Sequence, residues 1–479
     1  MTSPKKRKQH SDVRQRSSSR ISEPRLGILN LSLDTAATGL IAALSVLISL
    51  TILLGEQAGV RVRVNIPEDG IVAPYHAITF TFSEPFNPGF ASELISIDPV
   101  HEGYLEWMDT YNMRFVPIRP FEQGVSYTLK FEKGEVETKG REIKKQLTWQ
   151  FKVREPLVAY LQADQTTSSI WAVDLNGNPP KRLTDETLKV ISFNAAHIGE
   201  FIVFTAANEQ GGIDLWRISR EGSDAFLLLD CRLDRCTTPA ISPDGLRIAY
   251  SREAAGPSPE LPFGSPRIWV LDLQSRQNNP VYADQQILGY NPSWAPNSNK
   301  LASYDGLSDQ IRVLDLSENT QTIFSSNTGG PVTWSPDSKM ILFTTVEQAQ
   351  GGPRTQVKLA DLSINQSQAL IGARDDRDYS YYSLAWSPFR NQVVLSYHGG
   401  ADPLLQTLWL FDPATLEGIV IADQEGYAYN SPHWNPWGTA LVFQQFKLRS
   451  TYNPEIGLWK PGFEEPLTLA QGILPQWLP

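Results

Sequence analysis

The chain has 479 residues, which is too long for one ordinary domain and predicts two to four domains. The 33 glycines and 34 prolines favour a turn-rich fold over a helical bundle. The net charge is −10, although residues 1–34 carry eight Lys or Arg against three acids, so the rest of the chain is strongly acidic. An acidic body argues against nucleic acid as a partner, and two cysteines are too few for a disulfide framework or a Cys-rich zinc site.

A run of 21 residues from Thr35 to Gly55 contains no charged side chain. As a helix it would reach about 30 Å, the thickness of the hydrocarbon core of a bilayer. A buried core helix would normally carry a polar stripe, and a cleaved signal peptide would normally begin closer to its apolar run and end in a small-residue cleavage site. Residues 35–55 are therefore predicted to form an uncleaved transmembrane helix, with these two alternatives kept open.

The basic residues lie on the N-terminal side of this run, which predicts that the N-terminus stays in the cytoplasm. Residues 1–34 are then a basic cytoplasmic tail, rich in Ser and Arg and predicted to be disordered. Residues 57–479 are predicted to be extracytoplasmic. The expected location is the cell membrane, crossed once by a signal-anchor, with the membrane as a partner through residues 35–55.

Residues 60–153 contain short alternating segments separated by turn residues, which is typical of a β-sandwich. Val60-Arg-Val-Arg-Val64 and Ala77-Ile-Thr-Phe-Thr-Phe82 are two of these segments. The stretches TFTFSEPFNP, MRFVPIRPFEQGVSYTLKF and QLTWQFKV resemble the bacterial Ig-like domains of surface and S-layer proteins. That resemblance implies a spacer or adhesive module without a catalytic motif.

Residues 156–479 contain a repeated motif in which an aromatic or apolar residue precedes a proline-containing turn and an alternating strand. The proline presets the backbone for a tight turn, and the large aromatic residue fills the wedge between neighbouring sheets. A second motif, such as Ile268-Trp-Val-Leu-Asp-Leu273, occurs seven times. The first-motif anchors recur every 40–53 residues, a spacing typical of a β-propeller; they are Ala195, Ile241, Trp294, Trp334, Trp386, Trp434 and Trp477.

The two ends of this region complement each other. The first unit, from Leu157 onward, lacks its own anchor strand, whereas the last residues, Gln476-Trp-Leu-Pro479, supply one without a unit of its own. Pairing between them would close a ring and remove two exposed sheet edges. The predicted fold class is therefore all-β: a seven-bladed β-propeller over 156–479, preceded by an Ig-like β-sandwich over 60–153 and one N-terminal transmembrane helix.

The repeats WSPD, ISPDG and IWVLDL resemble those of TolB-like β-propellers of the WD type, across essentially residues 156–479. TolB itself has six blades after a different N-terminal domain. The seven predicted units and the Ig-like neighbour therefore depart from that pattern and put a role in the Tol envelope system in doubt.

No motif in the sequence indicates catalysis: there is no G-x-S-x-G, no H-E-x-x-H and no phosphate-binding loop. No catalytic residue, metal site or cofactor is predicted. Binding is the better expectation, because two connections between units are rich in tyrosine, a rigid side chain with a polar end. The candidate ligand-binding residues are Tyr379, Tyr381, Tyr382, Tyr427, Tyr429, Asp376 and Asp378.

For these residues the alternative is purely structural: the tyrosines pack on neighbouring loops, and the aspartates pair with the arginines around them. Cys231 and Cys236 allow either a local disulfide, which export would permit, or two free thiols. The expected function is a membrane-anchored binding scaffold whose propeller loop face binds a protein, peptide or glycan, with the Ig-like domain as a spacer. The alternative is a carbohydrate-active or other hydrolytic propeller enzyme that uses loop carboxylates.

Overall fold

The computed structural model describes residues 33–56, 60–86, 94–135, 142–164, 167–258, 260–349, 352–372, 379–399, 404–449 and 453–479. The chain divides into two units, Met1–Gly59 and Val60–Pro479. The first unit contains helix α1, Leu33–Glu56. Within the described residues, no helix has both the length and the apolarity needed to cross a membrane. The tail predicted to be disordered, residues 1–34, falls almost entirely outside the described residues.

The N-terminal part of the second unit is a β-sandwich. Its strands are β1 Val62–Val64, β2 Ile71–Val72, β3 Ile78–Phe82, β4 Ile95–Asp98, β5 Gly103–Trp107, β6 Asn112–Pro117, β7 Ser126–Phe131, β8 Gly134–Glu135, β9 Glu142–Ile143 and β10 Leu147–Val153. Two four-stranded sheets have the orders β1-β3-β6-β5 and β2-β10-β7-β4, and β8 pairs with β9. Alternation places Phe80 of one sheet and Phe131 of the other in a single shared core, as a sandwich requires.

In the rest of the second unit, the described residues form twenty-eight strands. They are β11 Leu157–Ala163, β12 Ser168–Val173, β13 Lys181–Arg182, β14 Val190–Ala195, β15 Phe201–Ala207, β16 Ile213–Ser219, β17 Phe226–Leu229, β18 Arg235–Ile241, β19 Arg247–Glu253, β20 Arg267–Asp272, β21 Asn278–Pro280, β22 Tyr290–Trp294, β23 Lys300–Asp305, β24 Gln310–Asp315, β25 Thr320–Ser325, β26 Thr333–Trp334, β27 Met340–Ala349, β28 Gly352–Asp361, β29 Gln366–Ile371, β30 Tyr379–Trp386, β31 Val393–Gly399, β32 Thr407–Phe411, β33 Gly418–Ala422, β34 Tyr427–Trp434, β35 Leu441–Lys447, β36 Glu455–Trp459, β37 Leu467–Gln471 and β38 Ile473–Leu478.

These strands form groups of four antiparallel neighbours. Each of β14, β18, β22, β26, β30 and β34 begins a group that continues with the next three strands of the chain. One parallel pair, Ile213 with Arg235, joins the groups that begin at β14 and β18 into a larger sheet. The remaining group has the order β13-β12-β11-β38, so it is completed from the C-terminus.

The C-terminal strand is held on both sides. Val158 of β11 pairs with Trp477 of β38, which places Trp477 in the same sheet as Trp171 of β12. The buried Trp477 indole donates a hydrogen bond to the carbonyl of His433 at 3.0 Å. Gln476 accepts a hydrogen bond from the Ala195 amide at 2.9 Å. The last strand therefore connects the group that begins at β34 with the one that begins at β14.

The first strands of several groups share a backbone irregularity. In each, the register with a neighbouring strand shifts at or next to a residue other than glycine with positive φ. A bulge of this kind bends the strand and locally interrupts its pairing with the neighbouring strand. The residues are Thr238, Asn291, Ser383, Ser431 and Leu474.

The sandwich docks on one end of the repeat region. Trp437, in the turn after β34, packs against the sandwich core and donates a hydrogen bond to the carbonyl of Phe121 at 2.9 Å. The ring of Tyr75 lies 4.4 Å from that of His197, in the turn after β14. The guanidinium of Arg119 lies 5.9 Å from the ring of Phe389, in the turn after β30. The sandwich therefore contacts the turns between first and second strands.

Arg154 fixes the connection between the two parts. Its guanidinium donates hydrogen bonds to the carbonyls of Pro479 at 3.1 Å and Gly199 at 2.6 Å, and it pairs with Glu200 at 3.1 Å. Arg154 follows β10 directly and is mostly buried, so these contacts hold the linker, the C-terminus and the turn after β14 together. The sandwich is thus docked on the repeat region through several polar and aromatic contacts.

Candidate functional site

The end of the repeat region opposite the sandwich carries the connections from one group of strands to the next and the turns between second and third strands. Tyr379 begins β30, and Tyr427 begins β34. Antiparallel pairing sets Tyr379 opposite Gly399 and Tyr427 opposite Lys447, where β31 and β35 end. The two tyrosine-rich segments therefore occupy equivalent positions on neighbouring sheets, and we name this end the tyrosine face.

Aromatic rings from β30 and β31 contact one another on the tyrosine face. The Tyr379 ring lies 5.1 Å from that of Tyr397 and 6.5 Å from that of Tyr381, and the Tyr382 ring stacks on His398 at 5.7 Å. Gly399 is required here, because a Cβ at this position would lie 1.8 Å from the Tyr379 ring. On β34, the rings of Tyr427 and Tyr429 stack at 6.2 Å.

The prediction that these tyrosines lie in loops is wrong, because they lie in strands. Tyr381 and Tyr429 are buried in hydrophobic clusters between sheets, and burial raises the pKa of Tyr429 to about 12. Tyr379 and Tyr427, at the starts of β30 and β34, and Tyr382, the fourth residue of β30, are half-buried.

Two candidate binding residues, Asp376 and Asp378, lie outside the described residues. The structure therefore brings the rings of Tyr379 and Tyr381 within 6.5 Å of each other, whereas the Tyr382 ring stacks on His398. Tyr427 begins β34 as Tyr379 begins β30, so it occupies the equivalent position of the next sheet.

The sequence analysis did not identify the polar residues Gln356 and His398 near these tyrosine rings. Gln356 of β28 is 1% exposed, and neither of its amide atoms has a hydrogen-bond partner among the described residues. A Cβ on Gly372 would lie 2.6 Å from that of Gln356 and 3.6 Å from the Tyr381 ring, so Gln356 lies beside the tyrosines. Burial and the nearby Arg354 lower the pKa of His398. The sequence could have indicated His398, since Tyr397 and His398 lie near the end of the alternating strand that follows the WSPF motif.

At the other end, His197 and His433 lie near each other next to the docked sandwich. Both residues are exposed to solvent, and desolvation by the protein packed beside them lowers the pKa of each to about 4. The mutual charge interaction lowers that of His197 further. Both rings are therefore neutral at pH 7. Across the described part of the chain, no three His, Cys, Asp or Glu side chains are grouped so that they could hold a metal ion.

Cys231 and Cys236 form a disulfide, with a Cα–Cα distance of 6.4 Å. Both cysteines are buried in a hydrophobic cluster with Phe201, Leu215 and Ile248. The carboxylate of the buried Asp214 accepts a hydrogen bond from the Cys231 amide at 2.8 Å. The disulfide stabilises the connection between β17 and β18 from inside the core.

No protein-family model matches this sequence, and no curated protein matches it. Several solved structures are similar in fold. The peptidase from Mycobacterium tuberculosis that hydrolyses puromycin has 15% identity and a TM-score of 0.50, covering 66% of this chain and 53% of that one. TolB from Acinetobacter baumannii has 17% identity and a TM-score of 0.41, covering 67% of this chain and 82% of that one.

The β-propeller domain of the Trilobed protease from Pyrococcus furiosus has 14% identity and a TM-score of 0.45, covering 60% of this chain and 86% of that one. The structures similar to this chain thus include TolB proteins and peptidases. At identities of this size the likeness concerns the fold alone. The described residues form an all-β fold with one helix, and the structural neighbours of the chain include TolB-like β-propellers.

Proposed function

We propose that this protein is an extracytoplasmic scaffold in which a seven-bladed β-propeller, residues 156–479, binds a protein or peptide through its tyrosine face. The observation that carries the proposal is the position of the sandwich, which covers the turns at one end and leaves the half-buried tyrosines at the other. The four-strand groups and the pairing of β38 with β11 support seven blades in a closed ring.

The pattern of pKa values favours binding over hydrolysis by carboxylates. A glycosidase needs one carboxyl group whose pKa is raised so that it can donate a proton. In the described part of the chain, every carboxyl group with a shifted pKa has it lowered by hydrogen bonds or a cation, as at Asp315, whose pKa is about 2, and at Asp272. These groups are stabilised as anions, and each has a structural role in a turn or ion pair.

We include in the proposal an Ig-like identity for the sandwich, residues 60–153, with a positioning role. Spacers that hold a neighbour by a flexible linker need no specific contacts with it. Here Trp437 and Arg154 contact both parts, which supports a sandwich that fixes the orientation of the ring. The tyrosine face would then point in a defined direction relative to the sandwich.

The membrane anchor and the location remain proposals that the sequence supports. The uncharged run 35–55 lies in α1, and its side chains Leu40, Ile41, Val46 and Leu47 are exposed, as they would be against lipid. The buried disulfide between Cys231 and Cys236 supports folding in an oxidising compartment.

Protease added to intact bacterial cells whose outer layers are permeabilised is expected to digest residues 57–479 and to leave a short membrane-bound fragment. The reason is that a chain with a cytoplasmic N-terminus exposes its C-terminal body outside the inner membrane. Immunoblots with antibodies against the tail and the body follow the two products. A cytoplasmic protein serves as the control for lysis, and a body protected as fully as that control contradicts the proposed location.

The amount of partner that co-purifies from detergent-solubilised membranes is expected to fall at least tenfold for the double variant Tyr379→Ser/Tyr382→Ser. Both residues are half-buried in the first half of β30, so removing their rings takes contact area from the face while leaving the buried Tyr381 in place. Quantitative mass spectrometry of the bound proteins measures the loss.

The matched control is Tyr104→Ser, because Tyr104 is an exposed tyrosine of β5 in the sandwich, away from the tyrosine face. Equal retention of the partner by the double variant and by the control contradicts a binding role for Tyr379 and Tyr382. Thermal unfolding of each variant separates loss of binding from loss of fold.

A further inference from the structure

A second surface lies on the outer side of the ring, away from the tyrosine face. Strand β33 is the edge of the sheet β30-β31-β32-β33, so one side of its backbone lacks a neighbouring strand. Beside it is a groove of about 360 Å³ between the sheets that end in β33 and β37. Ile419, Val420, Trp459 and Phe463 line this groove.

The sequence of β33, Gly-Ile-Val-Ile-Ala, has no charge and no proline. Edge strands normally carry such residues because they prevent pairing with other chains. Two other outer strands carry such residues: β13 consists of Lys181 and Arg182, and β21 ends in Pro280. The outer strands β17, β25, β29 and β37, like β33, contain neither a charged residue nor a proline. The side chains of Ile419 and Val420 are 57% and 46% exposed, so this edge is apolar as well as open.

Carboxylates surround the apolar edge. Glu417 precedes β33, Asp423 follows it, and Glu464 lines the groove. All three are exposed, and none forms an ion pair with a cation of the described residues. Arg390 is the one basic residue that lines the groove. An extended segment placed along β33 would therefore meet acidic side chains near both of its ends.

We propose that β33 and the adjacent groove bind an extended peptide segment of a partner protein, apolar in its middle and basic at its ends, by strand addition. The backbone of the segment hydrogen-bonds the free edge of β33, and its alternate side chains enter the groove beside Trp459 and Phe463. A five-residue strand is about 17 Å long, which matches a peptide of five to seven residues. Lysines at its ends pair with Glu417 and Asp423.

The test uses the full-length chain in detergent and a fluorescein-labelled peptide, KVTVTVK, followed by fluorescence anisotropy. Saturable binding of KVTVTVK is expected. The variant Ile419→Lys/Val420→Lys should bind this peptide at least tenfold more weakly, because its new lysines repel those of the peptide. The matched peptide EVTVTVE should bind the wild type at least tenfold more weakly, because its glutamates repel Glu417 and Asp423. N-methylation of alternate peptide amides is expected to abolish binding, since it removes the backbone donors without removing apolar area.

The matched control is Leu227→Lys on β17, an exposed apolar residue on another outer strand. It is expected to leave binding unchanged. Equal binding of KVTVTVK by the wild type and the Ile419→Lys/Val420→Lys variant, or no saturable binding, overturns the proposal. A concentration-dependent dimer that this variant abolishes would also overturn it, because the edge would then belong to a second copy of the chain. The site is separate from the tyrosine face, so either result leaves the proposed function to its own test.

Discussion

Replacing Trp477 by alanine is expected to lower the free energy of unfolding by about 3 to 5 kcal/mol, the cost of removing a buried tryptophan from a packed core. Trp477 packs with Val158, Tyr160 and Val442, and its indole donates to the His433 carbonyl. The variant removes these contacts where the last strand joins the first group. Chemical denaturation of the purified protein measures the change.

The strands in which hydrogen exchange increases distinguish a residue that holds the last strand to the first group from an ordinary core residue. With Trp477→Ala, hydrogen exchange is expected to increase first in β11, β12, β34 and β35. The matched control is Trp294→Ala, which removes a buried tryptophan at the same motif position but should increase exchange around β18 and β22 instead. Exchange that rises equally across all groups in Trp477→Ala contradicts the closing role.

Replacing Trp437 by alanine is expected to separate the unfolding of the sandwich from that of the ring and to destabilise the docked state by about 2 to 3 kcal/mol. The indole contributes apolar burial against the sandwich core and one hydrogen bond to Phe121. Calorimetry is expected to show two transitions in place of one.

Asn297→Ala provides the matched control, because Asn297 occupies the same position in its own turn and hydrogen-bonds only within it and to Ser338. Its effect is expected to stay near 1 kcal/mol, the scale of a surface hydrogen bond. A single transition in Trp437→Ala, with unchanged midpoint, contradicts the role of this residue in docking.

The repeats predicted the strand groups because each motif records a local requirement. Proline fixes the turn and alternation fixes the following strand, whatever the neighbours are. Closure was also predictable, since an unmatched first unit and the unmatched strand around Trp477 leave two open edges that can satisfy each other. In contrast, Phe193 and the Ala-Ala that follows gave little signal for β14, because that unit lacks the tryptophan and proline.

The docked sandwich was missed although the sequence carries a signal for it. The fourth position of the turn motif is polar at Asp244, Asn297 and Asp337, but aromatic at Phe389 and Trp437. A turn exposes this position to water unless another part of the protein covers it, and the sandwich contacts both aromatic residues. The substitution pattern around the ring thus identified the covered side.

The tyrosines were assigned to loops because polar and acidic residues precede them. Tyr379-Ser-Tyr-Tyr382 in fact begins β30, where Tyr381 is buried and both Tyr379 and Tyr382 are half-buried. Which of several neighbouring tyrosines is buried depends on the packing of adjacent sheets, and local sequence does not contain that information.

Site-specific photocrosslinking in living cells tests most directly whether the tyrosine face binds a partner. A photoreactive phenylalanine analogue replaces Tyr382 or Tyr427 on the open end, or Phe389 on the covered end. Adducts to another protein are expected from positions 382 and 427, and an internal adduct near Arg119 is expected from position 389. Adducts to another protein from position 389, with none from 382 and 427, would contradict binding by the tyrosine face.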